Sequence, residues 1–111
     1  MDLQKKDNYT LVKPTEISIE EFYSSFLEEV KNFKKEHLVL HFSETFNTTI
    51  QEILLFLNIA NDFRENGISF VIICKGIDID DVPDEINIVP TLAEAIDILE
   101  LDAIERDLMN I

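Results

Sequence analysis

The chain has 111 residues, 23 Asp and Glu against nine Lys and Arg, and a net charge of −14. A hydrophobic fraction of 46% with eight Phe excludes a disordered chain and is enough for one domain, residues 1–111, around a single core. Six lysines face seven acids in residues 1–35, but only three cations face sixteen acids in residues 36–111, a surface that repels phosphate backbones and anionic head groups.

Direct nucleic-acid binding and membrane association are therefore not expected. The first residues, Met1-Asp2-Leu3-Gln4-Lys5-Lys6-Asp7, lack the apolar stretch of a secretory leader. No segment approaches the roughly 18 apolar residues of a membrane span. Cys74 is the single cysteine, so no intrachain disulfide can form. The compartment reads as cytoplasmic.

In chain order, residues 3–14 predict a β-hairpin turning at Asp7-Asn8, with Tyr9–Lys13 alternating as an outer strand and Pro14 ending the ladder. Ser18-Ile19-Glu20-Glu21 is a capping box opening a helix over 19–35. Its apolar stripe is Ile19, Phe22, Phe26, Val30 and Phe33, with Lys31, Lys34 and Lys35 complementing the helix dipole at its end.

His37–Phe42 and Ser69–Cys74 are short, β-branched and aromatic runs, too short for helices. Between them lies a polar corner, Phe46–Thr49, and one helix over 49–66. Ile50, Ile53, Leu54, Leu57, Ala60 and Phe63 form its buried face, with Phe56 and Ile59 on the shoulder. Gly67 follows as a left-handed cap. Two apolar strands joined by an amphipathic helix predict a parallel βαβ unit with adjacent strands. An acidic loop over 76–85, a short strand at Ile86–Val89 and a helix over 91–109 complete the chain. The last helix would bury Leu92, Ala95, Ile96, Leu99, Ala103, Ile104 and Leu108, and expose Glu100, Asp102, Glu105 and Asp107. The fold class is α/β, with a mixed sheet of four or five strands flanked by helices.

Chemistry-bearing constellations are sparse. His37 and His41 on one strand would stand about 13 Å apart, and only Cys74 could join them, so no zinc site is expected. Cys74 reads as a buried structural thiol. The acids at 78, 80, 81, 84 and 85 lack the mid-loop glycine and terminal glutamate of a calcium loop. With glycine only at 67 and 76, a phosphate-cradling loop is hard to build. Neither a catalytic group nor a cofactor is expected. Asn47-Thr48-Thr49-Ile50-Gln51 is more informative: Thr48 with Gln51 fits a capping box, and a hydroxyl at a helix start favours an added phosphate.

Around this corner the sequence resembles the sulphate-transporter and anti-sigma-factor-antagonist (STAS) family. Leu38-Val39-Leu40-His41-Phe42, the corner, the helix end Arg64-Glu65-Asn66-Gly67, the strand Phe70-Val71-Ile72-Ile73-Cys74 and the acidic helix Thr91–Leu101 follow that family's order. The resemblance implies a STAS-like mixed sheet, no catalysis, and regulation through protein contact. In the antagonists the corner reads Asp-Ser-Ser/Thr-Gly, and a partner kinase phosphorylates its first hydroxyl. Asn47 stands here for the Asp, Thr48 for the phosphorylated Ser, Thr49 for the next hydroxyl and Ile50 for the Gly; a register one residue later puts Thr49 in the acceptor's place. The chain also resembles short bacterial proteins called ribonuclease Z, but two histidines cannot make that enzyme's His-x-His-x-Asp-His zinc motif. The implied partner is a protein, either a kinase or anti-sigma-like factor or that nuclease. A second copy of this chain and a small apolar or lipid ligand stay open.

Overall fold

The computed structural model describes residues 1–33, 35–42 and 47–109. Five strands form one mixed sheet in sequence order: β1 (Asp2–Lys5), β2 (Thr10–Lys13), β3 (Leu38–His41), β4 (Phe70–Ile73) and β5 (Asn87–Val89). Only the β1–β2 pair is antiparallel. The expected βαβ unit is present, with Leu38 opposite Phe70 and His41 opposite Ile73 in a parallel ladder. Lys34 and Phe46, named above in a helix end and in the corner, lie outside the described residues.

Each interior strand sends alternate side chains to opposite faces, as the two-residue period of a strand requires. Val12, Leu38, Leu40, Phe70, Ile72 and Ile88 pack on one side, beneath α1 (Ile19–Glu29), α2 (Ile50–Leu54) and α3 (Leu57–Glu65). Leu11, Val39, Val71 and Ile73 pack on the other, against Ala95 of α4 (Leu92–Met109). The sheet is thus covered on both faces. This is why β2 is buried at Thr10, Leu11 and Val12 rather than alternating as an outer strand. Its place between β1 and β3 overrides the reading from alternation; the edge belongs to β1, whose residues are mostly exposed.

The hairpin closes through the Lys6 N–H, which donates to the Tyr9 carbonyl at 2.8 Å across Asp7-Asn8. Among the described residues no non-glycine has positive φ, so this turn does not use the left-handed tolerance of Asp and Asn.

Two helices are shorter than their periodicity predicts. α1 ends at Glu29 and tightens into a 3-10 turn over Val30–Asn32, so no basic residue lies in its last turn. The tightened turn still delivers Phe33 to the core, 4% exposed. The predicted helix over 49–66 divides at Leu55-Phe56, where Leu55 N–H and Phe56 N–H donate to Glu52 and Ile53 carbonyls three residues back. The reason is the run Ile53-Leu54-Leu55-Phe56-Leu57, five apolar residues that one helix cannot place on one face. The break turns Phe56 fully inward and leaves Leu54 and Leu55 partly in solvent. Phe56 then meets Tyr23 and Phe42 with ring centroids 5.2 and 5.6 Å apart. It is a centre of the core, not a shoulder.

α3 ends as expected. Ile68 N–H donates to Phe63 O and Gly67 N–H to Arg64 O, a Schellman closure with Gly67 at φ 69°. The acidic connection over 76–85 holds one 3-10 turn at Ile79–Asp81, started by Asp78 accepting from the Asp80 N–H. Among the described residues, no helix is long and apolar enough to cross a membrane.

Candidate functional site

Two polar regions sit at opposite ends of the parallel strands. The first is the corner after β3. Thr49, not Thr48, caps α2: its hydroxyl accepts from the Glu52 N–H at 3.3 Å, while Glu52 Oε1 accepts from the Thr49 N–H at 2.9 Å. The expected pairing of Thr48 with Gln51 is therefore displaced by one residue. Extended backbone at Thr49 (φ −99°, ψ 163°) is the geometry that lets a cap hydroxyl reach back over the first turn.

Asn47 and Thr49 are exposed, and Ile50 tucks against the core. Thr48 Oγ1 is buried and makes no hydrogen bond of full geometry. It lies beside the Cys74 thiol, where burial pushes the thiol pKa up while the Thr48 hydroxyl pulls the other way. Cys74, 5% exposed, packs in the core, and its raised pKa keeps the thiol protonated.

The second region lies at the strands' amino ends. Ser69, 3% exposed, precedes β4 and donates from Oγ to Asp102 Oδ2 of α4 at 2.7 Å. Arg106, one turn further along α4, donates to the same Oγ at 3.3 Å. Ser69 N–H donates to His37 Nδ1 at 2.9 Å, and Arg106 Nη2 stands 3.5 Å from His37 Nε2. A ring accepting at Nδ1 carries its proton on Nε2 when neutral, so Arg106 faces another donor there. Burial first, then the Arg106 charge, hold the imidazole below its ordinary pKa of 6.5, although Asp102 pulls it upward.

Ser, His and Asp meet here without the order that nucleophilic catalysis needs. The Ser69 hydroxyl donates to the carboxylate, while the imidazole contacts its backbone. The arrangement fastens α4 to the sheet. Beside it opens a groove of about 640 Å³ between α3 and α4, lined by Ile68, Phe70, Leu101, Met109, Glu65 and Asp84 among others.

Apolar spacing predicts Asp102 on the solvated side of the last helix and Ile104 and Leu108 on its buried side. The structure reverses both. The inward stripe runs Leu92, Ala95, Leu99, Asp102, Arg106, in alternating steps of three and four. Following that period past Leu99, instead of following apolar residues, would have found the polar pair. His37 and His41 belong to no metal cluster: among the described residues no group of three or more His, Cys, Asp or Glu is placed to hold an ion.

Compared with protein-family models and with curated proteins, the sequence of this chain matches none.

Proposed function

We propose that the chain is a non-enzymatic regulatory module of the anti-sigma-factor-antagonist type, with a STAS-like fold, acting in the cytoplasm by binding another protein. The corner Asn47–Ile50 forms the edge of that contact, and Thr49 is the hydroxyl that a partner kinase phosphorylates. The observation that carries this reading is the division of labour between neighbouring threonines. Thr49 presents an exposed hydroxyl at the carboxyl end of β3, whereas the Thr48 hydroxyl is buried beside Cys74. Open α/β sheets commonly bind at this end of their strands.

A phosphate on Thr49 would meet the Glu52 carboxylate that now accepts from that hydroxyl at 3.0 Å. Two like charges at that distance repel, so phosphorylation opens the capping box and makes the corner strongly anionic. An acidic or apolar partner surface is then released. The kinase transfers the terminal phosphoryl group of ATP to Thr49 Oγ1: the Oγ1–P bond forms as the bond from the γ-phosphorus to the bridging oxygen breaks, ADP leaves, and the hydroxyl proton passes to the kinase's base.

The test is incubation of the purified chain with ATP and lysate from the cells that make it, followed by peptide mass mapping. One added phosphate on Thr49, absent from Thr49→Val, is the expected result. A phosphate confined to residues outside Asn47–Ile50, or none at all, overturns the switch.

A further inference from the structure

The outward side of α4 carries an apolar stripe that none of the described residues covers. Leu101 and Ile104 are each 56% exposed and Leu108 is 64% exposed. Their spacing of three and four puts them on one face, nearly opposite the inward stripe, because 3.6 residues make a turn. Exposed Glu94, Asp97, Glu100, Glu105 and Asp107 border them. The helix has a single cation, Arg106, and it is drawn inward to Ser69 and His37. The stripe continues into the groove through Leu101, where the facing wall adds exposed Glu65, Asp84 and Glu85 against Arg64 alone.

An apolar stripe that monomeric proteins usually bury marks a contact surface. Charge decides between occupants. A second copy would bring one acidic border against another, and anionic lipid would be repelled in the same way. From this complementarity we infer that the outer face of α4 is a docking surface for a basic amphipathic helix of a partner protein, with apolar anchors three and four residues apart. This surface lies at the strands' amino ends, away from the Asn47–Ile50 corner, and goes beyond the reading given for that corner.

The probe is a labelled synthetic peptide with leucines at spacings of three and four and lysines elsewhere. Its controls are a scrambled peptide of the same composition and a twin with glutamates for lysines. Fluorescence anisotropy on the full chain should show saturable binding of the basic amphipathic peptide alone. Ile104→Ser with Leu108→Ser should weaken it about tenfold, while leaving the melting temperature unchanged because both side chains are already exposed. Thr49→Asp should bind the peptide as the parent does, so that either surface can fail without the other. Equal binding of the scrambled peptide or the acidic twin would overturn the inference, as would unchanged affinity in the double serine variant. So would sedimentation of the parent as a dimer that the same double substitution dissociates, or binding of neutral lipid vesicles through this stripe.

Discussion

Ser69 Oγ donates to Asp102 Oδ2 at 2.7 Å, joining the start of β4 to the middle of α4 across 33 residues of chain. The serine is almost wholly buried, so its hydroxyl has no water to turn to. Ser69→Ala leaves a half-buried carboxylate and the Arg106 guanidinium without a shared partner. The expected cost is about 1–3 kcal/mol, read as a fall of roughly 4 °C in melting temperature for each kcal/mol.

His37 gives that attachment a pH dependence. Its imidazole is held below 6.5 by burial and by Arg106, so the unfolded chain takes up a proton more readily than the folded one. The contribution to stability is complete above pH 6.5 and is lost as pH falls from there through the lower folded value. Urea denaturation at about pH 7.5 and about pH 5.5 should show a stability drop toward acid that flattens in His37→Asn. The asparagine carbonyl can accept from the Ser69 N–H but does not titrate. An unchanged pH profile in the variant would remove His37 from this role.

The two threonines of the corner should separate cleanly. Thr49→Ala breaks the capping box and should cost about 1 kcal/mol. Thr48→Val keeps the side chain's shape while removing a buried hydroxyl that makes no hydrogen bond of full geometry. It should cost less than about 0.5 kcal/mol. Thr48→Asp, by contrast, forces a charge against the buried Cys74 thiol and should destabilise more than Thr49→Asp, which retains a capping oxygen. Chemical denaturation of the four variants checks the order.

What could be read from the sequence followed where one physical signal dominated. β3 and β4 are legible because short apolar runs without alternation, Leu38-Val39-Leu40 and Phe70-Val71-Ile72-Ile73, suit strands covered on both faces, and Gly67 because a helix end there needs positive φ. The Leu55-Phe56 break is hidden because Ile50, Ile53, Leu57 and Ala60 keep the three-and-four spacing of one helix across it. It is settled only by the rings waiting across the core, Tyr23 and Phe42 among them. The orientation of α4 is hidden in the sequence because the helix is apolar on two sides; Asp102 and Arg106 declare the inner one only once Ser69 and His37 are in place. At the corner, residue types could locate a cap but not choose between adjacent threonines. That choice depends on which hydroxyl comes to lie beside Cys74, at the end of a different strand.

Gly67 offers a test of local conformation alone. Its φ is 69°, and an added Cβ would meet nothing within 4 Å. Gly67→Ala should therefore lose about 1 kcal/mol through backbone strain without any clash. Gly67→Asn should lose less, since Asn tolerates the left-handed region. Equal losses for the two in thermal melts would point to a contact rather than to φ.

The most direct test of the protein-binding account is a quantitative pull-down from the native cell with the immobilised parent chain and its Thr49→Asp and Thr48→Val variants. The account predicts a protein retained in stoichiometric amount by the parent and by Thr48→Val and lost from Thr49→Asp, although that variant melts as a folded protein and keeps any partner held by the outer face of α4. Retention of the same protein by folded Thr49→Asp at parental affinity would contradict it.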